Sequence, residues 1–277
     1  MHPVQKALWF VESHFSGDLT LDDIATAAGA SRYYLTRAFG AATGQSLMRY
    51  VRGRRLTEAA RSLANGAPDI LTVALGSGYG SHEAFTRAFA DQFGMTPEAV
   101  RAQRNLANLD LVEALRMDEK PLDALQPPRF VSGKPLLVAG LKEHYAPDAS
   151  SGIPAQWQRF LPHFGHVPGQ VGNTAYGVMY NTDDDNNFDY IAGVEVPDFS
   201  KVPRDLDRVR IPEQRYVVFS HPGHVSEIRR TWNTIWNKWF PESGHEPADG
   251  PVFERYGETF DPQTGNGGFE LWIPIRH

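Results

Sequence analysis

Over the first hundred residues, apolar positions recur at helical spacing in short blocks punctuated by glycine. Leu21, Ile24, Ala25 and Ala28 form one stripe, and Leu35 and Phe39, four apart, anchor a second. Between them Gly29 offers a turn conformation that a side chain would penalise, and Ser31 is a good N-cap for the second helix. The same unit returns fifty residues later. Val73 and Ala74 precede Gly78, Ser81 stands at the cap, and Phe85 and Phe89 anchor; Thr36-Arg37-Ala38-Phe39 recurs as Thr86-Arg87-Ala88-Phe89. The pattern predicts two helix-turn-helix units, joined by a helix from Ser46 to about Asn65.

Helical spacing continues through Leu106, Leu109, Val112 and Leu115, so a helix is expected over 105–120. Lys120-Pro121 to Pro127-Pro128 then breaks it. Beyond, the period shortens to that of strands. Residues 129–131 and 136–140 read as strand, with Gly133-Lys134-Pro135 as a bulge between them. A helix is expected over 153–164, strands over 175–180 and 188–196, and a strand over 214–220. A helix over 225–240 and strands over 251–256 and 269–275 complete the series. The expected fold is therefore two domains: an all-α double helix-turn-helix, then an α+β domain of duplicated β-α-β-β units. Boundaries fall at 1–106, a linker at 107–126, and 127–277.

Charge supports the division. The net charge of −6 splits into 11 Lys+Arg against 9 Asp+Glu over residues 1–104, and 16 against 24 over residues 105–277. Arg49, Arg52, Arg54, Arg55 and Arg61 face one nearby acid, Glu58, which fits either a solvated helix face or a phosphate-binding one. The chain has no cysteine, no apolar run of the roughly 18 residues that span a bilayer, and no signal-peptide pattern at its start. A cytoplasmic, nucleoid-associated protein without membrane partners is expected.

The outer faces of the duplicated helices carry the candidate chemistry. Arg32, Tyr33, Thr36 and Arg37 lie outward on the first, His82, Glu83, Thr86 and Arg87 on the second. A core has no use for the same arginine on both outer faces, so double-stranded DNA is the expected partner. Arg49, Arg52 and Arg55 would hold phosphates without reading sequence. Gly76-Ser77-Gly78-Tyr79-Gly80 mimics a dinucleotide fingerprint but comes after a helix, so no cofactor is expected. His163, His166, His221 and His224 stand among turn residues without a carboxylate motif, and no metal is expected. Asp183-Asp184-Asp185 reads as a solvated hairpin tip, and no catalytic triad is evident.

Gly78-Tyr79-Gly80-Ser81, Thr86-Arg87-Ala88-Phe89 and Phe93-Gly94-Met95-Thr96-Pro97 closely match the signature of the AraC/XylS family of transcriptional regulators, which residues 1–104 resemble. That resemblance implies base reading by Tyr33, Thr36 and Arg37, with His82, Glu83 and Arg87 at the reading positions of the second helix. Glu83 departs from the neutral polar residue common there; a carboxylate can accept only from a base donor such as cytosine N4. Ile153-Pro154 with Trp157, Phe188 to Val196, Tyr216 to Phe219, Pro251 to Tyr256 and Phe269 to Ile275 resemble the gyrase-inhibitor-like (GyrI-like) effector-binding domain. The order of the two parts is that of the Rob-like regulators. The resemblance implies a transcription regulator, expected to act as an activator, whose second domain senses an amphipathic, often cationic, aromatic or lipophilic molecule, with RNA polymerase as a further partner. Its ligand residues would be Trp157, Tyr176, Tyr190, Glu195, Glu254, Tyr256, Glu270 and Trp272. From the residues alone, Glu254 and Glu270 are open to two readings: a salt bridge to Arg255, Arg215 or another base, or an anionic floor facing aromatic walls. Trp232, Trp236 and Trp239, at helical spacing, read as core. The expectation is a non-enzyme; the alternative is a hydrolase of strained electrophilic natural products fused to a DNA-binding domain.

Overall fold

Capping residues set the helix starts of the front part. Thr20 and Asp23 form a reciprocal capping box at α2 (Leu21–Ala28), which comes after α1 (Pro3–His14). Gly29 ends α2 in the left-handed region at φ 67°, as the turn requires, and α3 (Arg32–Thr43) begins three residues on. α4 (Leu47–Ala64) is the joining helix. Asp69 caps α5 (Ile70–Gly76), Ser81 caps α6 (His82–Phe93), and Thr96 with Pro97 opens α7 (Pro97–Gln103). Phe85, Phe89 and Phe93 of α6 stack edge to face in one core with Leu56, Leu63, Ala74 and Val100. This computed structural model describes residues 3–67, 69–115, 125–146, 152–262 and 264–276.

The helix expected over 105–120 does not form in its described part, 105–115. A turn at Leu106–Leu109 leads into irregular chain beside α4, where Thr57 and Tyr50 hydroxyls accept from the amides of Val112 and Leu115, both at 2.9 Å. Val112 packs on Gly53, where a Cβ would sit 2.7 Å from its methyl. The apolar spacing therefore reflects alternate contacts along a groove rather than a helical stripe. Residues 116–124, nine of the twenty in the expected linker, lie outside the described residues.

The chain divides into two compact units, one of residues 1–32 and 47–119, the other of residues 33–46 and 120–277. The second is built on an eight-stranded antiparallel sheet. Its strands are β1 (Arg129–Gly133), β2 (Leu136–Tyr145), β3 (Ala175–Tyr180), β4 (Phe188–Glu195), β5 (Asp207–Ile211), β6 (Gln214–His221), β7 (Val252–Tyr256) and β8 (Phe269–Pro274). They lie in the order β1-β6-β8-β7-β3-β4-β2-β5. α8 (Ile153–Phe160) comes after β2, and α9 (Ile228–Thr234) after β6, running into a π-helical turn (Ile235–Trp239) and α10 (Phe240–Ser243). The duplicated β-α-β-β order is thus present, and the two copies meet where β3 pairs with β7.

Gly133 faces Gln214 and Leu136 faces Ile211, so the β1·β6 and β2·β5 ladders share one register. Residues 129–145 and 207–221 form a single long ribbon, interrupted where Pro135 and Pro212 lack the N–H that a ladder needs. Gly133-Lys134-Pro135 is accordingly this crossing point and not a bulge. Consecutive strands on either side of it sit at opposite ends of the sheet order, so the sheet curls until its ends join. Val138, Tyr176, Val178, Ile191, Tyr216 and Phe253, drawn from both ends, cluster on the inner face. The outer face carries Tyr190, Ala192 and Val194 beneath Phe160 and Trp157 of α8. No helix among the described residues is long and apolar enough to cross a membrane.

Candidate functional site

Alternation along β7 puts Glu254 on the outer face, opposite Gly177 of β3. A Cβ at Gly177 would lie 2.0 Å from the Tyr190 hydroxyl and 2.6 Å from Glu254 Oε2, so the absent side chain makes room for that pair. Tyr190 from β4 and Tyr256, two residues along β7, both donate to Glu254 Oε2 at 2.8 Å. Trp157 Nε1 in turn donates to the Tyr190 hydroxyl at 2.9 Å. Gln156 fixes the helix that carries Trp157. It is fully buried, accepts from the Tyr145 hydroxyl at 3.0 Å, and donates to the carbonyls of Leu141 and Tyr190 at 2.7 and 3.0 Å.

Glu254 is only 6% exposed, and no basic side chain among the described residues pairs with it. Burial raises its pKa to about 7, against the opposing pull of its two phenol hydrogen bonds. Burial likewise pushes both phenols well above their usual range, which keeps them protonated as donors. Glu254, Tyr256, Trp157 and Trp232 line a cavity of about 1270 Å³, walled on another side by residues 40–43 of α3 and Gly44 just beyond it. A carboxyl poised to ionise among aromatic walls can offer a charge to a cation, or hold and release a proton.

Of the eight expected ligand residues, the structure brings together Trp157, Tyr190, Glu254 and Tyr256. Tyr176, Glu195, Glu270 and Trp272 fall on the inner face, because each stands an odd number of places along its ladder from the outer-face set. Tyr176 donates to Glu195 at 3.3 Å. Glu270 pairs with Arg129 at 2.8 Å and Arg255 at 3.4 Å, and accepts from Trp272 Nε1 at 3.0 Å. Glu270 is therefore ion-paired, whereas the partners of Glu254 among the described residues are two phenols. Within the tryptophan stripe, Trp239 packs edge-on to Phe219 as a core residue does, Trp236 is buried against Phe240 and also borders the cavity, and Trp232 lines it. His221 is held by Thr231 and the His224 carbonyl, and Asp183 closes its hairpin on Asn187.

The reading helices match the expectation unevenly. Arg87 and Glu83 are exposed on α6, and His82 lies 3.2 Å from Glu98. Hydrogen bonds from its own backbone amide and Ser81 hold the Glu83 carboxyl below its usual range, so it is an anion. On α3, Arg32 is exposed and paired with Asp22, while Tyr33 and Arg37 are half-buried. Thr36 is buried, and the Thr86 hydroxyl is buried without a partner among the described residues. Both threonines precede an anchoring phenylalanine by three residues, on the edge of the apolar stripe, so neither lies outward as expected. Arg49 and Arg52 of α4 are exposed. Arg55, expected to hold phosphate, instead donates to the carbonyls of Phe15 and Gly17 just beyond α1.

A family model described as a GyrI-like small molecule binding domain matches residues 126–276. The chain belongs to the GyrI-like family. A second model, a helix-turn-helix domain, matches residues 24–103. Transcriptional regulator Rob of Salmonella typhimurium is 27% identical over 285 residues, covering 99% of this chain and 98% of the relative. The Right origin-binding protein of Escherichia coli K12 is also 27% identical, over 289 residues with the same coverage. Regulatory protein SoxS of Escherichia coli K12 is 36% identical over 98 residues, 35% of this chain and 92% of that one. With a helix-turn-helix domain ahead of its GyrI-like domain, matched end to end by such relatives, the chain is a DNA-binding transcription regulator.

Proposed function

We propose that the GyrI-like unit binds an amphipathic organic cation at Glu254, between Trp157 and Tyr256 with Tyr190 buried behind the carboxyl, and that the regulator reads DNA chiefly through Arg37 and Arg87. One observation carries the sensing half: a carboxyl buried at a large aromatic cavity with two phenols, and no base among the described residues, for partners. Desolvated and unpaired, such a group is costly unless a cationic guest completes it. The DNA half rests on the repeated arginine. An arginine aligned with a guanine edge contributes about 1–3 kcal/mol of discrimination. Arg37→Ala and Arg87→Ala are each expected to lose that much on DNA selected by the full chain from a random pool, and far less on unselected DNA. Equal losses on both pools would refute base reading.

The same carboxyl also favours a second reading. A proton shared between Glu254 and Tyr190, in a cavity of this size, suits general acid–base hydrolysis of a strained electrophile. Turnover of such a compound by the purified chain, lost in Glu254→Gln, is the expected result on that reading. A cavity that only binds gives none.

A further inference from the structure

α3 is one of the two helices offered to DNA, yet its reading face is occupied. Arg37 Nη2 donates to Thr182 Oγ1 at 2.6 Å, and Arg37 Nε is buried with no partner among the described residues. Tyr33 is turned edge-on to Trp236, its hydroxyl 3.4 Å from the Gly250 carbonyl. The neighbouring Tyr34 hydroxyl donates to the Trp236 carbonyl at 2.7 Å, and Asn237 Nδ2 donates to the Ala38 carbonyl at 3.0 Å. Trp236 and Asn237 both belong to the π-helical turn. Such a turn widens the helix and frees a carbonyl from the regular ladder, and here a carbonyl from it receives Tyr34. Two features thus converge on one contact: the side chains suited to bases and an irregular turn shaped to hold their helix.

We propose that the GyrI-like unit competes with DNA for α3: docked, the helix cannot place Arg37 and Tyr33 in a major groove, and binding at the first half of the DNA site requires its release. This rests on the reading that α3 contacts bases. Because residues 40–43 of the same helix wall the cavity, an occupant there touches the docked helix directly, without any relay through the segment between the domains.

The absence of cysteine permits a clean test. A Cβ placed on Gly40 would lie 3.3 Å from Asn186 Cγ, so cysteines at 40 and 186 come within disulfide reach only while α3 is docked. In the full-length double variant G40C/N186C, mild oxidation is expected to close the bond, and DNA selected from the random pool is expected to slow closure. The oxidised protein should bind that DNA at least about tenfold more weakly than the reduced one, with recovery on adding reductant. Separately, Thr182→Ala with Asn237→Ala removes two docking hydrogen bonds and should tighten binding by about tenfold. Failure of the folded double-cysteine protein to cross-link, or equal binding by its two redox forms, overturns the proposal. Arg37→Ala added to the Thr182→Ala/Asn237→Ala pair, which already lacks the Arg37 docking bond, separates the two ideas. If it leaves binding of the selected DNA intact, base reading by α3 has failed, whereas cross-linking reports docking alone.

Discussion

Replacing Glu254 by Gln is expected to raise the stability of the chain by up to about 3 kcal/mol at pH 8 and to change it little near pH 4.5. The sign comes from the raised carboxyl. The folded protein holds the Glu254 proton up to about pH 7, whereas the unfolded chain releases it near the ordinary value of 4.5. Stability contributed by this group is therefore complete below about pH 4.5 and is lost as pH rises through 7, at roughly 1.4 kcal/mol per unit of difference. The glutamine variant has no charge to bury and escapes that loss, less whatever its poorer hydrogen bonds to Tyr190 and Tyr256 forfeit. Binding has the opposite sign. A permanent cation must displace the proton, so its affinity should rise by up to about tenfold per pH unit below 7 and level off above. A neutral isostere should lack that rise, and in Glu254→Gln the cation should lose it too. Denaturant midpoints and titration calorimetry with an aryl quaternary ammonium and its carbon isostere, between pH 5 and 8, check both halves. A stability difference independent of pH would mean that Glu254 is already ionised in the folded chain.

The parts of this fold that were legible from sequence share a cause: they rest on local period and local chemistry. Gly29, Ser81 and the Leu35–Phe39 and Phe85–Phe89 pairs each state their role within four residues, so the duplicated helix-turn-helix could be read directly. Most strand positions were legible for the same reason, but β5 (Asp207–Ile211) was missed, and the strand face turned to the cavity was not legible either. Glu254 and Glu270 look alike in sequence, each a carboxylate alternating with aromatics. Only the β7·β8 register, which sets Arg255 against Glu270, puts one inside the curl with two arginines and the other outside with two phenols. Gly177 had no readable role at all, since its meaning lies in a tyrosine from the neighbouring strand. Gln156 was equally silent; a buried amide one residue before a noted tryptophan carries no local signal, though it seats the helix. Charge counting misled once more at α4, where five arginines read as one surface.

One of those five is a core residue, and its removal should be the most damaging single change in the front unit. Arg54 is 6% exposed and donates to both oxygens of Glu12 at 3.0 Å, to the Val112 carbonyl at 2.9 Å and to Glu58 at 3.4 Å. It thereby ties α1 and the 105–115 segment to α4, with the Tyr50 hydroxyl completing the network on Glu12 at 2.6 Å. Deleting one member of a buried pair leaves the other charge without compensation and costs about 3–5 kcal/mol; Glu12 retains some solvent contact, which favours the lower end. Arg54→Ala should therefore lower the denaturant midpoint of the helical signal by an amount matching about 3 kcal/mol, and should loosen hydrogen exchange in α1. Arg52→Ala, two residues away and exposed, should shift the midpoint little while weakening all DNA alike, as expected of a phosphate contact. The double change Glu12→Gln with Arg54→Met removes both charges and should recover much of the stability, because an apolar replacement of matching length avoids the desolvation cost. If Arg54→Ala and Arg52→Ala proved equally mild in unfolding, Arg54 would belong with the surface arginines after all, and the irregular 105–115 segment would need another anchor.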